Sequence, residues 1–316
     1  RDEERRHDHY LGAQHRRTAA AADATAAART AERTVQSVMD TLRQGGWQVE
    51  LRATGGPGDA RRFAADAVAA GVDVVGVFGG DGTTMQAAAA LVGSRTTLGL
   101  IPGGTGNLLA GNLRIPADPV KAARTMLEGR VAPLDLGRME RADGPHYFAV
   151  ACGAGFDARG MAETSTADKH RWRFAAYVAT VFRLLPELRN ITSLITVDGV
   201  EYEASASLVI VANCGEVIPP FVRLRRGIAP DDGLLDVVVL RADTLLSSVR
   251  AIWELLRERG SSAPGMGRVG YARGRVVTVE THPVQPVQLD GEPHGATPFT
   301  ATVVAGAIQV FMPGPG

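Results

Sequence analysis

The chain opens on mixed charge and then becomes alanine-rich. From Thr18 to Leu42 apolar and small residues recur at helical spacing, and Gly45-Gly46 closes the run. Trp47 to Ala53 reads as a strand, and the Gly/Pro turn that ends at Asp59 puts a carboxylate where a helix through Ala70 needs its N-cap. Val72 to Phe78 (VDVVGVF) is apolar almost throughout, the pattern of a parallel strand buried on both faces. Helix Thr83 to Val92, strand Thr97 to Ile101 and helix Pro119 to Leu127, capped by Asp118, continue the alternation. The periodicity predicts an open α/β domain over residues 1–130.

After Val131 the texture changes to short β-rich segments, among them LDLGRM, YFAVACG, SLITVDG, YEASASLVIVANC, LLDVVVL, RVVTVET, VQLDGE and FTATVVAG. Asp198-Gly199 and Asp290-Gly291 are hairpin signals. Two helical patterns interrupt the strands, Lys169 to Leu188 and Thr244 to Arg259. Residues 131–316 are therefore expected to form an antiparallel β-rich domain, with room for the last segment to return to the first domain. A cleft between the two domains is the expected place for a ligand.

Length and composition fit this plan. The chain has 316 residues, room for two domains at roughly 150 residues each, and it is 45% hydrophobic and 22% charged, a globular composition. A formal net charge of +0 speaks against a general nucleic-acid binder. Cys152 and Cys214 stand too far apart for a zinc ribbon or a disulfide framework. The only lysines are Lys121 and Lys169, and neither follows a glycine, which excludes a Walker A loop and the protein-kinase set. The seven histidines form no zinc-binding spacing. Apolar stretches are broken by charge well short of a membrane span, and the start of the chain has no signal-peptide core, so a cytoplasmic location is expected.

Four short constellations carry chemistry. Gly79-Gly80-Asp81-Gly82-Thr83 stands where an apolar strand gives way to a helix, so backbone N–H groups and the helix terminus can face a phosphate. Asp81 would repel a bare phosphate and makes sense beside Mg²⁺, a water or a hydroxyl to be phosphorylated; the plainer reading is a tight turn with Thr83 as cap. Pro102-Gly103-Gly104-Thr105-Gly106-Asn107 repeats the logic one strand later, with Thr105 and Asn107 as side-chain donors, or Asn107 as a simple cap. In Ala229-Pro230-Asp231-Asp232-Gly233-Leu234, Asp232 could bind a hard cation through oxygen ligands, but a hairpin turn with solvated carboxylates is the plainer reading, and it fits Asp290-Gly291-Glu292 as well.

In this order GGDGT, PGGTGN, DDGLLD and DGE resemble the diacylglycerol kinase catalytic-domain family, which includes bacterial lipid kinases and sphingosine kinases, over the stretch from about Trp47 to the C-terminus. The resemblance implies ATP- and Mg²⁺-dependent transfer of the γ-phosphoryl to a lipid hydroxyl, with diacylglycerol first among acceptors. It assigns nucleotide contacts to Gly79, Gly80, Asp81, Gly82, Thr83, Thr84 and Met85, to Gly103, Gly104, Thr105 and Asn107, and to Thr54 in the ATGG turn. It implies a structural Mg²⁺ on the carbonyls of Ala229 and Leu234 and the carboxylate of Asp232. Glu292 matches the general base; Asp81 organises Mg²⁺ and water, or is itself the base. Dimers occur in the family.

Two departures stand out. The family opens on an apolar strand, and RDEERRHDHYLGAQHRRTAAA reads as lacking it, while Met85-Gln86 stands where the family often has Asn-Glu. The alternatives are an NAD kinase-like phosphotransferase and a non-catalytic nucleotide- or lipid-binding member without its first strand. For peripheral contact with a membrane, the runs Lys169 to Arg189 and Phe221 to Arg226 offer interleaved aromatic and basic residues, which also suit core packing or a solvated loop.

Overall fold

A computed structural model describes residues 17–23, 28–104, 106–155, 190–219, 222–242, 244–257, 260–261, 263–265 and 267–314. The chain divides into two compact units, Arg1–Leu134 with Ala307–Gly316, and Asp135–Gly306. The first is α/β and the second antiparallel β.

In the first unit, strands β1 (Arg17–Asp23), β2 (Gln48–Thr54), β3 (Val74–Gly79) and β4 (Thr97–Pro102) run parallel in the order β2-β1-β3-β4. Residues 309 and 310, from the chain's last strand, pair parallel with β4 at Thr97 and Leu98. Helices α1 (Ala28–Gln44), α2 (Asp59–Ala69), α3 (Asp81–Leu91), α4 (Leu108–Asn112) and α5 (Pro119–Glu128) connect the strands. β3 and β4 are buried along almost their whole length, as their apolar runs require. Met126 of α5 packs so closely on Gly99 and Gly76 of the central strands that a side chain at Gly99 would displace it. Leu42 of α1 is fully buried, and Trp47 meets Phe311 with ring centroids 5.9 Å apart. α5 starts as its sequence foretells, with Pro119 in the first turn and the Asp118 carboxylate accepting the Lys121 N–H at 2.8 Å.

The beginning of this unit corrects two expectations. Arg17–Asp23 is not the first turn of a long helix; it is a strand, paired on one side with β2 (Ala20 opposite Leu51) and on the other with β3 (Ala20 opposite Gly76). The first strand, which the sequence reads as lacking, is thus present. Alanine favours helix in isolation, but a slot between two parallel strands satisfies the backbone on both edges and outweighs that preference.

The second unit begins inside β5 (Arg130–Arg141), followed by β6 (Gly144–Phe148), β7 (Ala151–Ala154), β8 (Ile191–Val197), β9 (Val200–Ala206) and β10 (Leu208–Ala212). The short strands β11 (Glu216–Ile218) and β12 (Val222–Arg223) form their own ribbon. Then come β13 (Leu235–Leu240), helix α6 (Leu245–Leu256), β14 (Val269–Gly274), β15 (Val276–His282), β16 (Pro286–Leu289), β17 (Glu292–Ala296) and β18 (Phe299–Met312). β14-β13-β10-β7-β16-β17 make one sheet, and β8 pairs antiparallel with β15 and β9. Between them lies a core that includes Phe148, Ile195, Val211, Val237, Val279 and Phe299. The predicted hairpins occur at Asp198-Gly199 and Asp290-Gly291, with both residues of each pair at positive φ. Cys152 and Cys214 are both buried; burial raises both thiols, and the Cys214 thiol donates to the Ala149 carbonyl at 3.2 Å.

Of the two membrane-facing runs, Lys169 to Arg189 lies outside the described residues, and so does Phe221. In the rest of the second run Leu224 is buried, whereas Arg223, Arg225 and Arg226 are exposed, with Arg223 paired to the buried Glu216 at 2.8 Å and Arg225 over the Tyr271 ring.

Ala20→Pro separates the strand from the helix experimentally. A proline in the first turn of a helix is tolerated, but inside a central strand it removes a ladder bond and its ring collides with the neighbouring chain. The variant is expected to melt at least about 5 °C below wild type, the shift that roughly 2 kcal/mol produces in a domain of this size, as read by circular dichroism.

Candidate active site

The first glycine turn follows directly from β3. Gly80 is the N-cap of α3, no side chain caps that terminus, and the first intrahelical bond runs from the Thr84 N–H to the Gly80 carbonyl at 3.0 Å. The helix N-terminus therefore depends on something other than a cap for its leading N–H groups. Gly82, Thr83 and Met85 are half-buried and Thr84 is buried.

The second turn is packed directly against the first. The Gly103 N–H donates to the Gly79 carbonyl at 3.0 Å, and a Cβ on Gly104 would stand 2.5 Å from the Gly80 Cα. Asn107, at positive φ, braces this turn from within: its Oδ1 accepts the Gly104 N–H at 3.0 Å and its Nδ2 donates to the Gly104 carbonyl at 2.8 Å. It stands at the N-cap of α4, but its side chain makes no capping bond there, since both ends of its amide are engaged with Gly104. Thr105 lies outside the described residues.

Asp81 ties the turns together. Its Oδ1 accepts the Leu108 N–H at 2.6 Å, and a Cβ on Gly106 would stand 2.5 Å from its Oδ2. Burial pushes its carboxyl above the usual range, and the N–H groups of Leu108, Leu109 and Asn107 oppose that rise. With Gly79, Thr84, Asn107 and Leu109, Asp81 lines a small hollow at the carboxyl end of β4.

Thr54 ends β2 at the mouth of a third loop, whose order comes from residues the sequence did not single out. Asp59 does not cap α2, whose N-cap is Gly58; its Oδ2 reaches back to accept the N–H groups of Gly55 (2.8 Å) and Gly56 (3.2 Å). The Gly55 bond, then the Arg62 guanidinium 2.7 Å from Oδ1, and last the Gly56 bond hold its carboxyl below the usual range. Gln86 accepts the Gly58 N–H at 3.0 Å, so the residue next to Met85 braces this loop from α3.

In the second unit the acidic turns divide into anchors and one exposed acid. The Asp290 carboxylate accepts three successive N–H groups, from Ala149 (2.7 Å), Val150 and Ala151 (2.9 Å each). Glu292, two residues on, opens β17 and is exposed. Beside it on β17, His294 shares a 2.6 Å contact with His146, which also meets Asp143 at 2.9 Å; burial, then His146, lowers the His294 ring.

The Ala229–Leu234 turn does not suit Mg²⁺ as it stands. Asp232 Oδ1 accepts the Leu234 N–H at 3.0 Å, and Oδ2 lies 3.6 Å from Arg273 Nη1. The same guanidinium grips the buried Asp236 through Nε at 2.9 and 3.0 Å and bonds the Gly227 carbonyl at 2.6 Å. A divalent ion on Asp232 would sit against this fixed positive charge. Among the described residues no cluster of three or more His, Cys, Asp or Glu side chains is placed to hold a metal. Arg273 was invisible to sequence reasoning because its partners lie 37 to 46 positions away.

The model of the diacylglycerol kinase catalytic domain matches residues 20–139, and that of the YegS C-terminal NAD kinase beta sandwich-like domain matches residues 150–312. A protein of Xanthomonas campestris pv. campestris (strain 8004) named "Probable lipid kinase YegS-like" is 32% identical over 292 residues, 88% of this chain and 91% of the relative. The chain belongs to the YegS-like lipid kinases. A Pseudomonas aeruginosa PAO1 protein of the same name is 30% identical over 288 residues, 88% of this chain and 89% of its own. A crystal structure of a diacylglycerol kinase from Bacillus anthracis str. Sterne shares the fold, with a TM-score of 0.74 at 23% identity over 94% of this chain and 96% of that one. This lipid kinase is accordingly a phosphotransferase. No helix among its described residues is long and apolar enough to cross a membrane.

Substitutions at Asp81, Arg273 and Asp236 probe these interactions. The fold prefers the protonated Asp81 carboxyl, so this group's contribution is favourable below the ordinary carboxylate range and is lost as pH rises through the raised value. Asp81→Asn keeps an oxygen for the Leu108 N–H and sheds the charge. It is expected to melt at or above wild type at neutral pH while losing phosphoryl transfer, and melting clearly below wild type would contradict this account. Arg273→Met leaves Asp236 buried without its cation, and about 2 kcal/mol of stability should be lost in urea titration, because removing one partner of a buried pair strands the other. Asp236→Asn in the same chain should recover part of that loss.

Proposed function

We propose that this lipid kinase moves the γ-phosphoryl of ATP, taken up as its Mg²⁺ complex, to the hydroxyl of diacylglycerol, giving phosphatidic acid. The observation that carries this reading is the direct packing of Gly79-Gly80 on Gly103-Gly104 at the ends of two adjacent parallel strands, beside an uncapped helix N-terminus. Backbone N–H groups free of side chains are what a polyphosphate requires. The name carried by the catalytic-domain model supports diacylglycerol as acceptor.

In this reading Gly79 to Met85 and Gly103 to Asn107, with Thr105, hold the phosphates, and Thr54 contacts the nucleotide. Asn107 acts by fixing Gly104, and Asp81 by fixing the second turn and facing the metal-bound phosphates. The lipid hydroxyl attacks the γ-phosphorus, the bond to the β-bridging oxygen breaks, ADP leaves, and Glu292 accepts the hydroxyl proton. Mg²⁺ arrives with the nucleotide as part of the substrate, and no step uses Asp232.

The test is transfer of labelled γ-phosphate into mixed micelles carrying diacylglycerol, monoacylglycerol, ceramide or sphingosine, with NAD⁺ in a tube without lipid. Label is expected in diacylglycerol, falling by about 10² or more in Glu292→Gln with nucleotide binding retained. Label in NAD⁺ alone would replace this reading with a nucleotide kinase, and wild-type turnover in Glu292→Gln would remove the base from Glu292.

A further inference from the structure

Helix α6 turns an apolar and cationic face to solvent. Its N-terminus is secured by a capping box between Thr244 and Ser247, and its inner side buries Ala251 and Leu255. On the outer side Val249 is 42% and Trp253 46% exposed, one helical turn apart. Among the described residues no other tryptophan or phenylalanine is exposed, and the other exposed large apolar side chains lie outside helices. Nearly half of the Trp253 surface and of the Val249 surface faces water, apolar area that burial against a suitable surface would stabilise.

The charges around Trp253 select the partner. Arg250 and Arg257 are exposed on the same side, and the Arg257 guanidinium lies 3.8 Å from the Trp253 ring centroid. Among the described residues of this stretch the one acid, Glu254, is engaged by Arg268 at 2.9 Å. The face thus presents aromatic and aliphatic surface rimmed by arginine in a chain with no net charge overall. A second copy would bring these arginines against their own images, whereas an anionic bilayer surface meets both features, with indole at the headgroup level and guanidinium on phosphate.

We infer that α6 is the membrane-docking surface of this lipid kinase, seating Val249 and Trp253 in the interface of an anionic bilayer through Arg250 and Arg257. The inference rests on a lipid being the acceptor, and its test is separate from turnover. Sedimentation with phosphatidylcholine vesicles, pure or containing phosphatidylglycerol, measures docking without ATP. Wild type is expected to bind the anionic vesicles, Trp253→Glu and Val249→Glu to bind at least about tenfold more weakly, and Arg250→Gln with Arg257→Gln to lose about tenfold on anionic vesicles only. Unchanged melting temperatures and retained transfer to lipid in detergent micelles would complete the support. Failure of wild type to sediment with anionic vesicles, or equal binding by Trp253→Glu, would overturn the inference. So would a change of oligomeric state in Trp253→Glu with vesicle binding intact, which would make the face a contact between copies. An enzyme inactive on every lipid would instead count against the proposed reaction, since vesicle binding needs no turnover.

Discussion

The candidate site depends on one close approach, backbone on backbone, between the turns that follow β3 and β4. Parallel pairing carries the two strands in register to Gly79 and Pro102, and from there the chains stay in contact through the Gly103 N–H and the Gly79 carbonyl. A side chain on Gly104 would meet the Gly80 Cα, so the pair of turns tolerates no Cβ at that point. The other features of the first unit's site are arranged around that contact. Asn107 holds Gly104 from both of its backbone groups, Asp81 reaches across to Leu108, and Gln86 links α3 to the Gly55–Gly58 loop.

Sequence reasoning succeeded where the cause of structure is local. The apolar runs of β3 and β4, the Asp118 cap and the Asp-Gly hairpins depend on a few neighbouring residues, and each stands where its pattern places it. The glycine turns were legible for the same reason. β1 was not, because four alanines state a helix preference and only the two strands beside them give a reason to extend. Arg273 and the bracing role of Gln86 were hidden because their partners are distant in sequence.

The acidic turns of the second unit show why residue type alone misleads. Asp198 accepts the N–H groups of Arg275 and Val276, Asp290 those of Ala149 to Ala151, and the buried Asp135 those of Gly233 and Gly306. Each carboxylate ties a turn or strand end to a distant stretch of backbone, which charge-assisted bonds do with unusual strength. Of the two acids in the Asp290-Gly291-Glu292 turn, the first is spent on architecture, and the second is left facing solvent.

The two cysteines give the protein a built-in record of its own integrity. Cys152 lies in β7, opposite Leu289 of β16, and Cys214 bonds the carbonyl of Ala149, one of the residues clamped by Asp290. Burial holds both as unreactive thiols. Alkylating reagents should therefore leave the folded second unit untouched and mark it only when the Asp290 clamp opens, which turns the rate of thiol labelling into a clock for local unfolding beside Glu292.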